Sequence, residues 1–285
     1  MRILKPILNK RLIPLKNYKG FIVYLQHALL FLLASFFLGG CASKPWTDPL
    51  KSTEADSTIQ IIDTLVARDA KCGGTLEADI TLFYQNPLEK KALSGFLQFS
   101  KPSSYKFVMT NPFGQPIIVV AGDKESFQAI NTLDKKYLDA NLSSFGLRND
   151  IPSSFLKSDW NTWLTGRNQL SSQSITDIRN DRDSRGVWLT FQSKEQNGVY
   201  HLLFDRKQEI ILILILEDGR GKTIAEISYD NWVTQEECKQ PQEIDITGLD
   251  YWTKVQIKLS NVLITSERKT FQLQPPPGFL QQYLR

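Results

Sequence analysis

The run Ile210-Ile211-Leu212-Ile213-Leu214-Ile215-Leu216 limits the fold of this chain more than any other stretch. Successive side chains of a strand point to opposite faces, so a strand with one face in water alternates apolar and polar residues. This run is apolar on both faces and can show neither to water. It needs a second sheet, or a helix and a cavity, on its two sides. The surrounding sequence supplies strands rather than helices. Runs at 75–85, 93–100, 104–110, 117–121, 126–131 and 136–140 are rich in β-branched and aromatic residues and punctuated by Asn-Pro, Lys-Pro and Asn-Pro-Phe-Gly. A second series lies at 174–179, 187–193, 199–205, 209–216, 223–230, 242–247 and 254–264. A spacing of about ten residues, with no long helix between runs, excludes βαβ units and points to a mainly β fold, an antiparallel meander.

Two helices punctuate it. Ser57 is a plausible N-cap for a helix to about Ala70, with Ile59, Ile62, Leu65 and Val66 on one face and Gly73-Gly74 at its end. Pro152 starts a second helix that Gly166 stops, and Phe155, Leu156, Trp160, Trp163 and Leu164 share one side of it. That tryptophan face fits ordinary core packing or a lid over a cavity. The turns at 183–186, 196–198 and 217–221 carry glycine, for which positive φ is cheap. The segment 270–278, with Pro275-Pro276-Pro277, reads as an extended cover.

The N-terminal 40 residues have a different grammar. Arg2, Lys5, Lys10, Arg11, Lys16 and Lys19 precede an apolar run from Phe21 to Leu38, with no acidic residue among them. Leu38-Gly39-Gly40-Cys41 then resembles the lipobox of a bacterial lipoprotein, in which cleavage before the cysteine is followed by its acylation. A membrane-spanning anchor is the alternative, since about 18 apolar residues is the lower limit for crossing a bilayer; a cysteine directly behind Leu-Gly-Gly favours lipidation of Cys41. Ala42, where an aspartate would signal inner-membrane retention, points to the outer membrane, facing the periplasm. The expected organisation is a signal peptide over 1–40, an acylated N-terminus and flexible tether over 41–56, and a domain over 57–285. Removing the leader's six basic residues from the 34 leaves 28 against 30 acidic ones. Nucleic-acid binding thereby loses its electrostatic support. Cys72 and Cys238 sit in a compartment that permits disulfides, and a bridge and two free thiols both fit.

Catalytic signatures are missing. His201, the one histidine after the leader, falls inside a strand and reads as a pleat residue. No nucleophile elbow and no paired-cysteine redox motif occurs. Gly219-Arg220-Gly221-Lys222-Thr223 mimics the end of a phosphate loop, but an alternating strand follows where a helix should, so it reads as a hairpin turn. Asp181 and Asp183, in an arginine-rich turn, read as a solvated loop. No enzyme, no cofactor and no metal is expected. Apolar surface remains. Asn111-Pro112-Phe113-Gly114-Gln115-Pro116 places phenylalanine at the tip of a turn, either folded back on the core or exposed as an apolar finger.

Several segments together resemble the lipoprotein-localisation family of the periplasmic carrier LolA and the outer-membrane receptor LolB. Tyr105–Val120 is similar to the family's strand, Asn-Pro-(apolar)-Gly turn and strand. Asp150–Gly166 is similar to its Trp-x-x-(apolar)-x-Gly helix, and Gln242–Val262 to its closing hairpin, with a second echo at Asp230–Val233. The resemblance implies one antiparallel sheet curled into an incomplete barrel, with helices plugging the open face over an apolar cavity. Phe96, Phe107, Met109, Phe155, Trp160, Trp163 and Leu214 are the candidates to line it. Acyl chains of client lipoproteins would arrive from a LolA-like carrier. The turn Pro112-Phe113-Gly114, with phenylalanine for the family's leucine, would deliver them to the inner leaflet of the outer membrane. A monomer is expected. The alternative on the same fold is an envelope lipoprotein that binds another lipid or glycolipid, or a structural accessory. The tail after Ser266 has no clear counterpart in the receptor.

Overall fold

The computed structural model describes residues 44–148, 160–167, 174–192, 198–235, 237–249 and 253–284. The chain divides into Met1–Pro45 and a compact unit, Trp46–Arg285. That unit contains β1 (Trp46–Pro49), α1 (Ser52–Lys71), β2 (Thr75–Gln85), β3 (Lys90–Ser100), β4 (Ser104–Thr110), β5 (Pro116–Gly122), β6 (Ser126–Asn131) and β7 (Lys136–Asn141). It continues with α2 (Leu142–Arg148), α3 (Trp160–Thr165), β8 (Ile175–Asp181), β9 (Val187–Gln192), β10 (Val199–Asp205), β11 (Ile210–Glu217), β12 (Thr223–Gln235), β13 (Cys238–Leu249), β14 (Thr253–Thr265) and β15 (Leu280–Leu284). Fifteen strands form one open sheet among the described residues, in the order β1-β8-β9-β10-β11-β12-β13-β14-β2-β3-β4-β5-β6-β7-β15. Neighbours are antiparallel except β15, which runs parallel to β7.

Alternation along the strands divides the sheet into a helix-bearing inner face and an outer face. Ile62 of α1 and Trp163 and Leu164 of α3 join Leu76, Ala78, Ile80, Leu97, Leu214, Ile227 and Ile244 in the main core. Burying a side chain the size of Ile62, which is 1% exposed, contributes roughly 1.5–3 kcal/mol. The sheet also holds α3 through its backbone: Tyr229 Oη donates to the Thr162 carbonyl and Gln240 Nε2 to the Leu164 carbonyl.

The doubly apolar strand β11 finds cover on both sides. Ile211, Leu214 and Leu216 enter the main core, while Ile213 and Ile215 join an outer cluster with Trp188, Leu203 and Trp46. Trp46 belongs to a stretch expected to be tether. The structure corrects that boundary: residues 46–49 pair with β8, and α1 begins at Ser52 rather than after Ser57, with Lys51 at its N-cap. A tryptophan that buries its ring against Trp188, centroids 5.5 Å apart, gains far more than it would in solvent.

The segment after Ser266 is a strap over the outer face. Lys269 N donates to Ser100 Oγ, Phe271 N to Ser104 Oγ and Leu273 N to Gln128 Oε1. Leu273 then packs with Ala121 and Tyr137, flanked by Phe271 and Phe279. Cys72, after α1, is bridged to Cys238 at the start of β13, with the Cα atoms 5.4 Å apart.

Candidate functional site

The inner face of β2–β7 can be followed as cross-strand rows, because opposed residues of antiparallel strands share a face. The row farthest from the turn that carries Phe113 runs Leu76, Phe99, Tyr105, Gly122, Phe127, Ala140. There Leu76, Phe99, Phe127 and Ala140 are buried. The middle row runs Ala78, Leu97, Phe107, Val120, Ala129, Leu138; its first two members are buried and the other four half-buried. The row nearest Phe113 runs Ile80, Gly95, Met109, Ile118, Asn131, and only Ile80 is buried. Cover over the apolar wall therefore thins from one edge of the sheet toward the edge that bears Phe113.

This edge ends in exposed tips. Phe113 is 89% exposed, so the finger alternative holds and the folded-back one does not. Asn111 builds the turn: its Oδ1 accepts from the amides of Phe113 and Gln115, and its backbone carbonyl accepts from Gly114 N. Pro112 and Gly114 flank the ring, both exposed. A phenyl group held there cannot reach the core without unmaking the turn.

The cavity candidates separate. Phe107 and Met109 lie on the half-buried wall. Trp160 is half-buried beside Trp163, ring centroids 5.2 Å apart. Trp163 and Leu214 face inward but are 1% and 0% exposed within the main core, so the chain's own side chains already fill the space around them. Phe96 is corrected outright. It pairs with Asp79 and Val108, the row that continues to Val119, Ile130 and Tyr137 on the outer face. Phe155, with the helix start at Pro152, lies outside the described residues. Val120, Ile118 and Leu138 belong to the wall and escape sequence reading: Pro116–Gly122 is apolar at successive positions, and only the pairing of Met109 with Ile118 shows which of them face inward.

Polar groups near the disulfide form a brace between elements. A small cleft near the disulfide is lined by Lys101, Asn161, Thr165 and Arg167. Arg167 Nε donates to the Lys239 carbonyl and its Nη2 to Gln240 Oε1; Lys101 Nζ donates to the carbonyls of Asp69 and Cys72. Burial lowers the pKa of both cations and raises that of Asp69, against the opposing pull of Arg167, Arg68 and Lys101. The cluster ties α1, α3 and β13 together. On the inner face, burial lifts the Tyr105 phenol to about 12, aided by Asp123, which keeps it neutral.

Asp181 departs from the solvated-loop reading. It is 4% exposed and accepts from Trp188 Nε1 at 2.8 Å and from Arg185, while Asp183 stays exposed. Turn 183–186 also uses its residues differently: Ser184 takes the positive φ of 57°, whereas a side chain on Gly186 would strike the Phe204 carbonyl. His201 lies in β10, with Nδ1 3.0 Å from Thr190 Oγ1, Nε2 3.4 Å from Glu217 Oε2, and the Trp46 ring over it at 4.5 Å. Lys222 and Thr223 belong to the β11–β12 hairpin, closed by Asp218 Oδ1 accepting from Lys222 N. Among the described residues no cluster of metal-ligating side chains occurs, and no helix is long and apolar enough to cross a membrane.

No family model and no curated protein matches the sequence. Three solved structures align over most of the chain. A domain assigned to outer membrane lipoprotein sorting from Vibrio parahaemolyticus shares 11% identity at a TM-score of 0.49, covering 75% of this chain and 95% of its own. A DUF1329 family protein from Desulfovibrio piger gives 11% and 0.49, over 76% and 94%. A LolA superfamily protein from Nitrosomonas europaea gives 10% and 0.45, over 74% and 94%. Likeness at this level carries no weight for ligand or role, which rest on the wall and the finger.

Proposed function

We propose that this chain is an envelope lipoprotein, acylated at Cys41 after removal of residues 1–40 and anchored in the outer membrane facing the periplasm. Its sheet acts as a half-barrel. Acyl chains of client lipoproteins, received from a LolA-like carrier, lie along the inner wall of β3–β7 and leave past Phe113 into the inner leaflet. No covalent step is involved. The observation that carries this reading is the gradient of cover: half-buried Phe107, Met109, Ile118 and Val120 lead toward the edge where Phe113 stands 89% exposed.

An acyl chain laid on such a wall gains about 0.8 kcal/mol per methylene removed from water. Transfer then requires only that the bilayer hold the chain more favourably than the wall, a difference of affinities. The test is binding of a fluorescent long-chain fatty acid, with mass spectrometry of material that co-purifies. Met109→Asp with Val120→Lys, both on the inner wall, should weaken probe binding at least tenfold. Phe113→Glu should leave it intact and abolish transfer to vesicles. Probe binding indifferent to Met109 and Val120, or full transfer by the Phe113 variant, would overturn the proposal. Recovery of a free lipid or glycolipid, with no lipoprotein client, would replace the client assignment while keeping the wall.

A further inference from the structure

The Phe113 turn is one of three built to the same plan. Asn86 Oδ1 accepts from Leu88 N at 2.8 Å, Asn111 Oδ1 from Phe113 N at 2.9 Å and Asn131 Oδ1 from Leu133 N at 3.0 Å. In each, an asparagine side chain clamps the amide two residues on, and that residue is a large apolar one pointing into solvent. Leu88 is 94% exposed, Phe113 89% and Leu133 75%. The turns join β2 to β3, β4 to β5 and β6 to β7. In an antiparallel meander such alternate turns fall on one edge of the sheet. Two strand spacings, about 10 Å measured across the strands, separate successive tips. The register adds a stagger along them: Gln85 and Lys90 close the first hairpin five residues beyond the row of Ile80, Gly95, Met109 and Ile118, whereas Asn131 and Lys136 close the third on it.

The turn chemistry alone does not call for apolar tips. Asp123 and Asp205 make the same clamp at the opposite edge and Asp218 makes it on this one, and the residues they hold are Glu125, Lys207 and Arg220. Among the described residues, these three asparagine turns are the ones in which the device carries leucine and phenylalanine. This edge has basic flanks: Glu89 pairs with Lys91 and Asp134 with Lys136, and Lys90 and Lys135 stand exposed beside them.

We propose that Leu88, Phe113 and Leu133 form a three-pronged rim that seats in the headgroup region of an anionic lipid bilayer, with Lys90 and Lys135 against lipid phosphates. The inference rests on the proposed function for the role of Phe113 and adds Leu88, Leu133 and the lysines. Separate prongs with polar backbone between them do not make the continuous face of about 800 Å² per partner that a stable protein interface needs. A fluid interface takes them one by one, and juxtaposed lysines favour anionic headgroups.

The test is flotation of Trp46–Arg285, whose apolar clusters and disulfide are all internal to it, with phosphatidylethanolamine–phosphatidylglycerol vesicles and with phosphatidylcholine vesicles. Leu88→Asp, Phe113→Asp and Leu133→Asp should each weaken binding about tenfold, and the effects should multiply in the triple variant. Lys90→Glu with Lys135→Glu should weaken binding to the anionic vesicles alone. Near-ultraviolet circular dichroism should be unchanged, since every tip is in solvent. Three results would overturn the rim: no vesicle binding by the parent domain, release by the Phe113 variant only, or a self-association that Leu88→Asp breaks without any vesicle binding. Fatty-acid binding separates this inference from the one beneath it. Leu88→Asp and Leu133→Asp should keep probe binding, and loss of probe binding in the parent would strike the proposed function while leaving the rim standing.

Discussion

Reduction of the Cys72–Cys238 bridge removes a crosslink between residues 166 positions apart. In the chain-entropy account, a loop of that size restricts the unfolded ensemble by about 5 kcal/mol at 25 °C. Measured values for native bridges usually fall below that ceiling because unfolded chains keep some structure, so a loss of about 2–5 kcal/mol is expected. Both sulfurs are buried, Cys72 at 1% and Cys238 at 7% exposure, so Ala replacements leave only small voids and the crosslink term dominates. For a domain of this size, each kcal/mol shifts the melting midpoint by about 2–4 °C, which gives a fall of roughly 4–20 °C. The assay is urea and thermal unfolding of the oxidised protein, the reduced protein and the Cys72→Ala, Cys238→Ala double variant. The reduced protein and the double variant should agree. The bridge also ties the end of α1 to β13, so hydrogen exchange in the last turn of α1 should rise in both. A midpoint unmoved by reduction, with the loss of both thiols confirmed by mass, would refute the reasoning.

Two further outcomes follow from local geometry. Asp181 is pushed up by burial, but hydrogen bonds from Arg185 and Trp188 outweigh it and hold its pKa below the usual carboxylate value. Its folded-state contribution is therefore complete above the unfolded pKa of about 3.9 and is lost as pH falls through the depressed folded value; Asp181→Asn should lower stability by about 1–3 kcal/mol at neutral pH and flatten the acid limb of a stability–pH curve. Gly95 faces the Val108 carbonyl so closely that an added Cβ would lie 1.9 Å from the oxygen; Gly95→Val should force β3 and β4 apart and cost more than about 3 kcal/mol by urea unfolding, and a cost under 1 kcal/mol would contradict the packing described.

Much of the meander is readable from local patterning. The expected spans 75–85, 104–110, 126–131 and 199–205 coincide with β2, β4, β6 and β10, because β-branched runs between turn residues carry their own limits. Alternation along Ser104–Thr110 puts Phe107 and Met109 on one face, and the pairing of Leu97 with Phe107 puts that face inward. Phe96 is legible by the same rule: in Lys90–Ser100 it shares a face with Ser94, Gln98 and Ser100, while Leu93, Leu97 and Phe99 point the other way. What local sequence does not announce is the apolar company of its outer row, which continues beneath the strap of Phe271, Leu273 and Phe279 almost 180 residues away. Trp46, between two prolines, looks like tether until Trp188 and His201 are seen beneath it. The pairing of β12 with β13 beyond Asp230 was missed as well: Asn231 adopts φ of 53° and Pro241 opposes Trp232, both of which read locally as strand breakers. Asp181 shows the same limit, because its burial depends on an indole brought alongside by the next strand.

The two borders of the sheet bear on how the domain comes to exist. β1 finds its partner about 130 residues downstream in β8, and β15 returns about 140 residues upstream to β7. A chain that folds from its N-terminus onward exposes the bare flank of β7 until Leu280–Leu284 arrive to seal it. During that interval a free strand edge beside the uncovered Ala121 and Tyr137 would invite pairing with other chains. Proteolytic trimming or a premature stop shortly before residue 280 should therefore be felt less as a lost contact than as a sticky, aggregation-prone product.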